Sequence, residues 1–61
     1  MTNPEIGKKI RIKKEMNAMM AAQFGDGEIT RIFPNNYCAV INKDKSWTMT
    51  LSLNELEEIS A

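Results

Sequence analysis

Apolar and polar residues alternate in two stretches of the chain, one near its start and one near its end. In the first stretch, Ile10 and Ile12 share one face of a predicted strand, and Lys9, Arg11 and Lys13 share the other. This pattern is typical of an antiparallel strand with one buried and one solvated face. We expect the isoleucines to point inward, because the inverse arrangement would bury three cations without partners.

The second alternating stretch runs from Trp47 to Ser52, where three large apolar residues alternate with hydroxyl residues. Trp47 is predicted to be largely buried, near Ile10 or Ile29, although the same face could serve as a binding surface. Ser52 and Glu55 stand at the spacing of a capping box, which predicts one helical or 3₁₀ turn. A short final strand is expected to end at Ile59.

Two further strands are predicted between these stretches. Residues 25–27 have the composition of a turn, with two glycines free to adopt positive φ. In the strand over residues 28–33, Ile29 and Ile32 break strict alternation, and a bulge between them would turn both inward. After a turn at residues 34–36, residues 37–42 are almost wholly apolar, which predicts a central strand whose buried face stays open.

Residues 15–24 permit two interpretations. Met16, Met20 and Phe24 stand at helical spacing, and Gly25 could cap a short helix. The alternative is a long folded loop, with one helical turn at most, that places methionine and phenylalanine side chains over the core. We favour the loop, because an isolated helix of this length is marginal.

The length and composition of the chain exclude most catalytic chemistry. Its 61 residues predict a single domain over residues 1–61, with a loose N-terminal segment at residues 1–6. Such a domain rarely encloses a substrate pocket of roughly 300 Å³. The chain has no histidine, and its single cysteine, Cys38, is expected to be a small buried residue. We therefore predict no enzyme, no catalytic residue, no metal site and no cofactor.

The compartment is also predicted from the sequence. The first residues lack the charged and apolar regions of a signal peptide. No apolar run approaches the length that spans a bilayer, so we expect no membrane partner. A single cysteine suits a reducing compartment, and we predict a cytoplasmic location.

The net charge of zero conceals an asymmetry along the chain. Residues 1–32 contain six basic and four acidic residues, and residues 33–61 contain two basic and four acidic residues. Five of the cations lie between Lys8 and Lys14. They form either a solvated strand face that keeps the protein soluble or a basic stripe that binds phosphates or an acidic partner.

The order of these elements resembles the SH3-like small β-barrel superfamily, and in particular its KOW-type members. The resemblance extends over residues 7–60 and includes Gly7 before the basic strand, the Gly27-x-Ile29 turn and the terminal Leu56-Glu57-Glu58-Ile59. It implies an all-β fold, a five-stranded barrel with a long first loop, or one short helix there, and a terminal 3₁₀ turn. Barrels of this superfamily bind RNA, DNA, peptides or other subunits, so the fold does not define the ligand.

Part of the chain is also similar to plasmid-type (type II) dihydrofolate reductase, a homotetramer of such barrels around a shared pore. The similarity lies in Gly27-x-Ile29, in Pro34-x-x-Tyr37-x-Ala39-Val40 and in Leu56-Glu57-x-Ile59. The pore strand of that family carries Gln-Ile-Tyr, whereas this chain has Trp47-Thr48-Met49-Thr50 at the matching positions. No catalytic residue is carried over.

Two functions are consistent with the sequence. The first is a non-catalytic interaction module that docks on a larger protein or assembly, or on further copies of itself, with Phe33, Tyr37 and Trp47 as anchors. The second is a nucleic-acid-binding barrel. In it, phosphates contact Lys9, Arg11, Lys13 and Arg31, and bases stack on Tyr37 or Trp47. We favour the first function, because dedicated nucleic-acid binders usually carry a basic excess that this chain lacks.

Overall fold

The computed structural model describes residues 4–59, which form one five-stranded antiparallel sheet with a short helix against it. The elements are β1 (Lys9–Ile12), α1 (Ala18–Phe24), β2 (Asp26–Phe33), β3 (Tyr37–Asn42), β4 (Thr48–Ser52), a 3₁₀ turn (Leu53–Glu55) and β5 (Leu56–Glu58). The strand order is β4-β3-β2-β1-β5. The all-β prediction and the terminal 3₁₀ turn are confirmed, while closure of the sheet into a barrel stays a prediction.

The predicted N-terminal segment lies partly outside the described residues, since residues 1–3 are not among them. From Pro4 onward the chain turns before β1. The backbone N–H of Lys8 donates to the carbonyl of Glu5, and the N–H of Gly7 donates to the carbonyl of Ile29. Ile6 is 70% exposed, so this segment contributes little to the core.

The buried side chains come from every element except β4. Ile10 and Ile12 of β1 point inward and Lys9 and Arg11 point outward, as predicted. In β3 the face that the sequence left open is now defined, because Cys38 and Val40 are fully buried. The other core residues are Phe24, Ile29, Leu53 and Leu56. Met49 and Leu51 of β4 pack against this cluster at its margin, while Thr48 and Thr50 are exposed.

A bulge interrupts β2 at the predicted place, between Ile29 and Arg31. Ile29 and Ile32 lie on the same face, as predicted, since they oppose the buried Val40 and Cys38 in the ladder. Ile29 is fully buried, but the predicted burial of Ile32 is wrong, because this side chain is 43% exposed. The cause is the length of β1. Its ladder with β2 covers Asp26 to Glu28, so no strand lies beside the far half of β2 on that side.

Residues 18–24 form helix α1, so the favoured loop is wrong there and the helical alternative is correct. The side chain of Asn17 caps the helix by accepting the backbone N–H of Met20 at 3.1 Å. At the other end, Gly25 adopts φ 70° and donates its N–H to the carbonyl of Ala21. Phe24 is buried in the core, and this burial stabilises a helix that would be marginal alone.

Trp47 differs from its prediction in two respects. It precedes β4 and is half-buried, where the sequence predicted a largely buried strand residue. Its ring lies edge-to-face against Phe24, with the ring centroids 5.7 Å apart. The helix therefore supplies a large part of the surroundings of Trp47, which the loop interpretation did not anticipate.

Gly27 lies inside β2, so the turn predicted over residues 25–27 ends at Gly25. Its role is the absence of a side chain. A Cβ at position 27 would collide with the carbonyl oxygen of Ile41 and would lie 2.8 Å from Cε2 of Phe24. Only glycine lets β3 and the Phe24 ring approach β2 this closely.

We expect Gly27→Ala to destabilise the fold strongly. The Ile41 clash is with backbone, so its relief requires a shift of β3 against β2, and the Phe24 ring must also move, at a cost of about 1–3 kcal/mol or more. The free energy of unfolding from urea denaturation measures this cost, and Ala22→Gly, at an exposed helix position, calibrates a single methyl change outside the core. An unchanged urea midpoint for Gly27→Ala would contradict the close packing.

Candidate interaction surface

The predicted basic stripe lies on the outer face of β1, between two strands that carry carboxylates. Lys9 is directly opposite Glu28 of β2 in the ladder, and Arg11 is directly opposite Glu57 of β5. The Nζ of Lys9 lies 3.8 Å from Oε1 of Glu28, and Nη2 of Arg11 donates to Oε2 of Glu57 at 3.1 Å.

A third ion pair extends the same arrangement. Lys8 Nζ lies 3.4 Å from Oε1 of Glu58. In each pair at least one of the two side chains is exposed to solvent, so each pair contributes at most about 1 kcal/mol to stability. Their larger effect is electrostatic, because the carboxylates cancel the positive potential that a phosphate would need.

The other two predicted phosphate-binding residues differ from Lys9 and Arg11 in exposure or in position. Lys13 is half-buried just after β1, where its backbone N–H donates to the carbonyl of Glu55. Arg31 lies past the bulge of β2, with its guanidinium carbon 5.5 Å from the centre of the Phe33 ring. The structure therefore brings Lys9 and Arg11 together but places Arg31 on a different part of the sheet.

The three predicted aromatic anchors are also divided. Phe33 and Tyr37 are direct partners in the β2–β3 ladder. Trp47 lies at the other end of β3, where its carbonyl accepts the N–H of Asn42. Asn42 is five residue steps along the strand from Tyr37, which corresponds to about 17 Å. Trp47 thus belongs to the margin of the core beside Phe24, and it does not join Phe33 and Tyr37.

The end of the β2–β3 hairpin exposes a group of apolar and aromatic side chains. Tyr37 is 47% exposed, and Phe33 is half-buried beneath Arg31. Ile32 lies on the opposite face of the same hairpin. We call Arg31, Ile32, Phe33 and Tyr37 the hairpin surface. Sequence reasoning missed Ile32 as an exposed residue, because it predicted that the inner face of β2 would be buried along its whole length.

The turn that carries the hairpin surface is fixed to the rest of the fold. Asn35 and Asn36 both have positive φ, 64° and 67°, a conformation that asparagine tolerates better than most residues. The carbonyl of Asn36 accepts the N–H of Leu53 at 2.8 Å. The side-chain amide of Asn36 donates to Oδ1 of Asn54 at 3.4 Å. These bonds hold the turn against the 3₁₀ turn, so the hairpin surface is ordered before any partner binds.

Two side chains have shifted pKa values, and neither adds catalytic chemistry. Burial raises the pKa of the Cys38 thiol, which stays protonated and is a poor nucleophile at neutral pH. At the β3–β4 turn, hydrogen bonds from the side chain and backbone of Ser46 lower the pKa of Asp44. Within residues 4–59, no three histidine, cysteine or acidic residues are grouped so that they could hold a metal ion.

The concave regions of the surface are small and carry mixed charge. One, of about 350 Å³, lies between β1 and the end of α1 and is bordered by Arg11, Lys14 and Asp26. A second, of about 260 Å³, is bordered by Lys9, Glu28 and Lys43. Both depressions are lined by cations as well as carboxylates, so neither has the uniform charge that would select an ionic ligand.

Comparison with protein-family models, curated proteins and solved structures finds no match to this chain. Among residues 4–59, no helix has the length and apolar composition that crossing a bilayer requires. The interpretation of the surface therefore depends on its own geometry and charge.

We expect the Arg11–Glu57 pair to show a small, salt-dependent coupling. In a double-mutant cycle of Arg11→Gln and Glu57→Gln, the coupling free energy should be about 0.2–1 kcal/mol at low salt. It should decrease at about 1 M salt, where screening acts within roughly 3 Å. Urea denaturation gives the four free energies of unfolding.

Lys14→Gln paired with Glu57→Gln is the matched control for this cycle, since Lys14 is exposed and forms no ion pair within residues 4–59. A coupling of zero for Arg11 and Glu57 at low salt would show that the stripe is not neutralised by its neighbours.

Proposed function

We propose that this domain is a non-catalytic interaction module that docks on a larger protein or assembly through the hairpin surface. The observation that carries the proposal is the exposed Tyr37 beside the stacked Arg31 and Phe33, with the exposed Ile32 on the other face of the same hairpin. Tyrosine and arginine are among the residue types that contribute most to protein interfaces.

The rigidity of the turn supports this proposal. Binding by a flexible loop loses conformational entropy when the loop becomes ordered. Here the backbone hydrogen bond between Leu53 and Asn36 already holds the turn in place. A partner that binds Phe33 and Tyr37 would therefore meet a surface that needs little rearrangement.

The charge distribution favours a protein partner over nucleic acid. Lys9 and Arg11, the centre of the predicted phosphate-binding stripe, are each paired with a carboxylate. One observation favours the nucleic-acid alternative, namely that Arg31 lies beside Phe33 and Tyr37, and such a group can stack on unpaired bases. We keep this alternative as an outcome of the test.

Membership of the SH3-like superfamily is part of the proposal. It is supported by the five antiparallel strands, the bulge in the second strand and the 3₁₀ turn before the last strand. A cytoplasmic location also stays a prediction, on the grounds given from the sequence.

We expect the double variant Ile32→Ser, Tyr37→Ser to lose binding of the protein partner while it keeps its fold. Both side chains are more than two-fifths exposed, so their removal should affect a partner far more than the core. Immobilised wild-type and variant domains are incubated with lysate, with and without nuclease treatment, and retained proteins are compared by quantitative mass spectrometry. Circular dichroism melting confirms the fold.

The matched control is Ile6→Ser, Met19→Ser, which removes two still more exposed apolar side chains, 70% and 71%, away from the hairpin. This control should retain the same proteins as wild type. Equal retention by the hairpin variant would contradict the proposal. Loss of all retained proteins after nuclease treatment, with binding of single-stranded oligonucleotides at about 50 mM salt, would favour the nucleic-acid alternative.

A further inference from the structure

The sheet has two edge strands, and they differ in length and charge. β5 has three residues, two of which are Glu57 and Glu58. Charged residues and short length are features that protect an edge from pairing with another chain. β4, in contrast, has five residues, and no charged residue or proline occurs from Trp47 to Leu53.

The register of β4 with β3 defines which backbone groups are free. At the two ends of this ladder, Asn42 donates to the carbonyl of Trp47, and Leu53 donates to the carbonyl of Asn36. Because hydrogen-bonded and non-bonded pairs alternate in an antiparallel ladder, Met49 and Leu51 also bond to β3.

The backbone groups of Thr48, Thr50 and Ser52 therefore point away from β3, toward the edge of the sheet. Within residues 4–59, no backbone group accepts from or donates to them on that side. Thr48 and Thr50 are also exposed, so no part of the described chain covers this edge.

We propose that a second copy of this chain pairs with β4 through this edge, antiparallel, with the two-fold axis at Thr50. In that register Thr50 faces Thr50 of the other copy, and Thr48 faces Ser52. The Thr48–Ser52 pair occurs twice by symmetry, so three facing pairs use the free backbone groups. Two hydrogen bonds per pair give about six in total. A symmetric contact of this kind closes on itself and produces a dimer.

The side chains are also complementary in this register. On the outer face, threonine lies against threonine and serine, which can hydrogen-bond across the ladder. On the inner face, Met49 lies against Leu51 of the other copy in a non-hydrogen-bonded pair, where side chains approach most closely. No like charges meet, because β4 has none.

An apolar cavity lies beside this edge. It has a volume of about 60 Å³, and its lining is mostly apolar, with Asn17 and Glu55 beside Ile12, Met16, Met20, Met49 and Leu51. A leucine or methionine from a second copy would extend the apolar cover of this cavity. The pairing of two five-residue strands buries less than the about 1,200–2,000 Å² of a standard interface, so we expect a dissociation constant in the micromolar to millimolar range.

The test places charges on the two-fold axis. Thr50→Lys and Thr50→Glu each put like charges directly opposite, and each should weaken self-association by about fivefold or more in sedimentation equilibrium. An equimolar mixture of the two variants puts opposite charges together and should form the heterodimer. Gln23→Lys and Gln23→Glu, at an exposed position on α1, are the matched controls and should associate like wild type.

Amide hydrogen exchange on the unmodified chain gives a second measurement that does not depend on how the variants fold. The amides of Thr48, Thr50 and Ser52 should exchange rapidly in dilute protein and slow down as concentration rises. The amide of Glu58, which points away from β1 at the other edge of the sheet, serves as the reference. A wild-type chain that stays monomeric up to about 1 mM overturns the proposal. Failure of the mixed variants to associate overturns the register at Thr50.

Discussion

The extra residue in β2 divides this strand into two parts with different neighbours. Before the bulge, β2 lies between β1 and β3, and Ile29 packs into the core. After it, the strand pairs with β3 alone and ends in the hairpin that carries Phe33 and Tyr37. The hydroxyl of Thr30, within the bulge, donates to the carbonyl of Ala39 at 3.3 Å and so supports the irregular backbone. The core and the hairpin surface both depend on this single change of register.

The neutral charge of the chain has a structural counterpart in the sheet. β1 carries the cations, and the two strands beside it carry Glu28, Glu57 and Glu58. A strand with a basic outer face between two acidic neighbours remains well solvated, while the carboxylates reduce the positive potential around it. Apolar or uncharged groups are exposed elsewhere, among them Ile32 and Tyr37 at the hairpin end and the threonines of β4.

Features that depend on local sequence were predictable, and features that depend on pairing between distant segments were not. The alternation of Ile10 with Arg11 defines a strand with a buried face, whatever its neighbours are. The partners of Arg11 could not be predicted in the same way, because Glu57 is 46 residues away and meets it only once the β1–β5 register exists. The helix was ambiguous for a related reason, since its stability depends on the burial of Phe24 against strands that the local sequence does not specify. Likewise, Tyr37 and Trp47 lie near each other in sequence, but the length of β3 holds them apart.

Because Cys38 is buried, chemical labelling of its thiol can measure how often the sheet opens. This thiol is the only one in the chain, and it lies in the central strand between Ile32 of β2 and Leu51 of β4. Because it is fully buried and its pKa is raised, an alkylating reagent can react with it only after β3 separates from a neighbour. At low reagent concentration, the rate of labelling therefore follows the equilibrium between closed and open molecules. A partner that tightens the sheet would slow the modification of this cysteine without ever touching it.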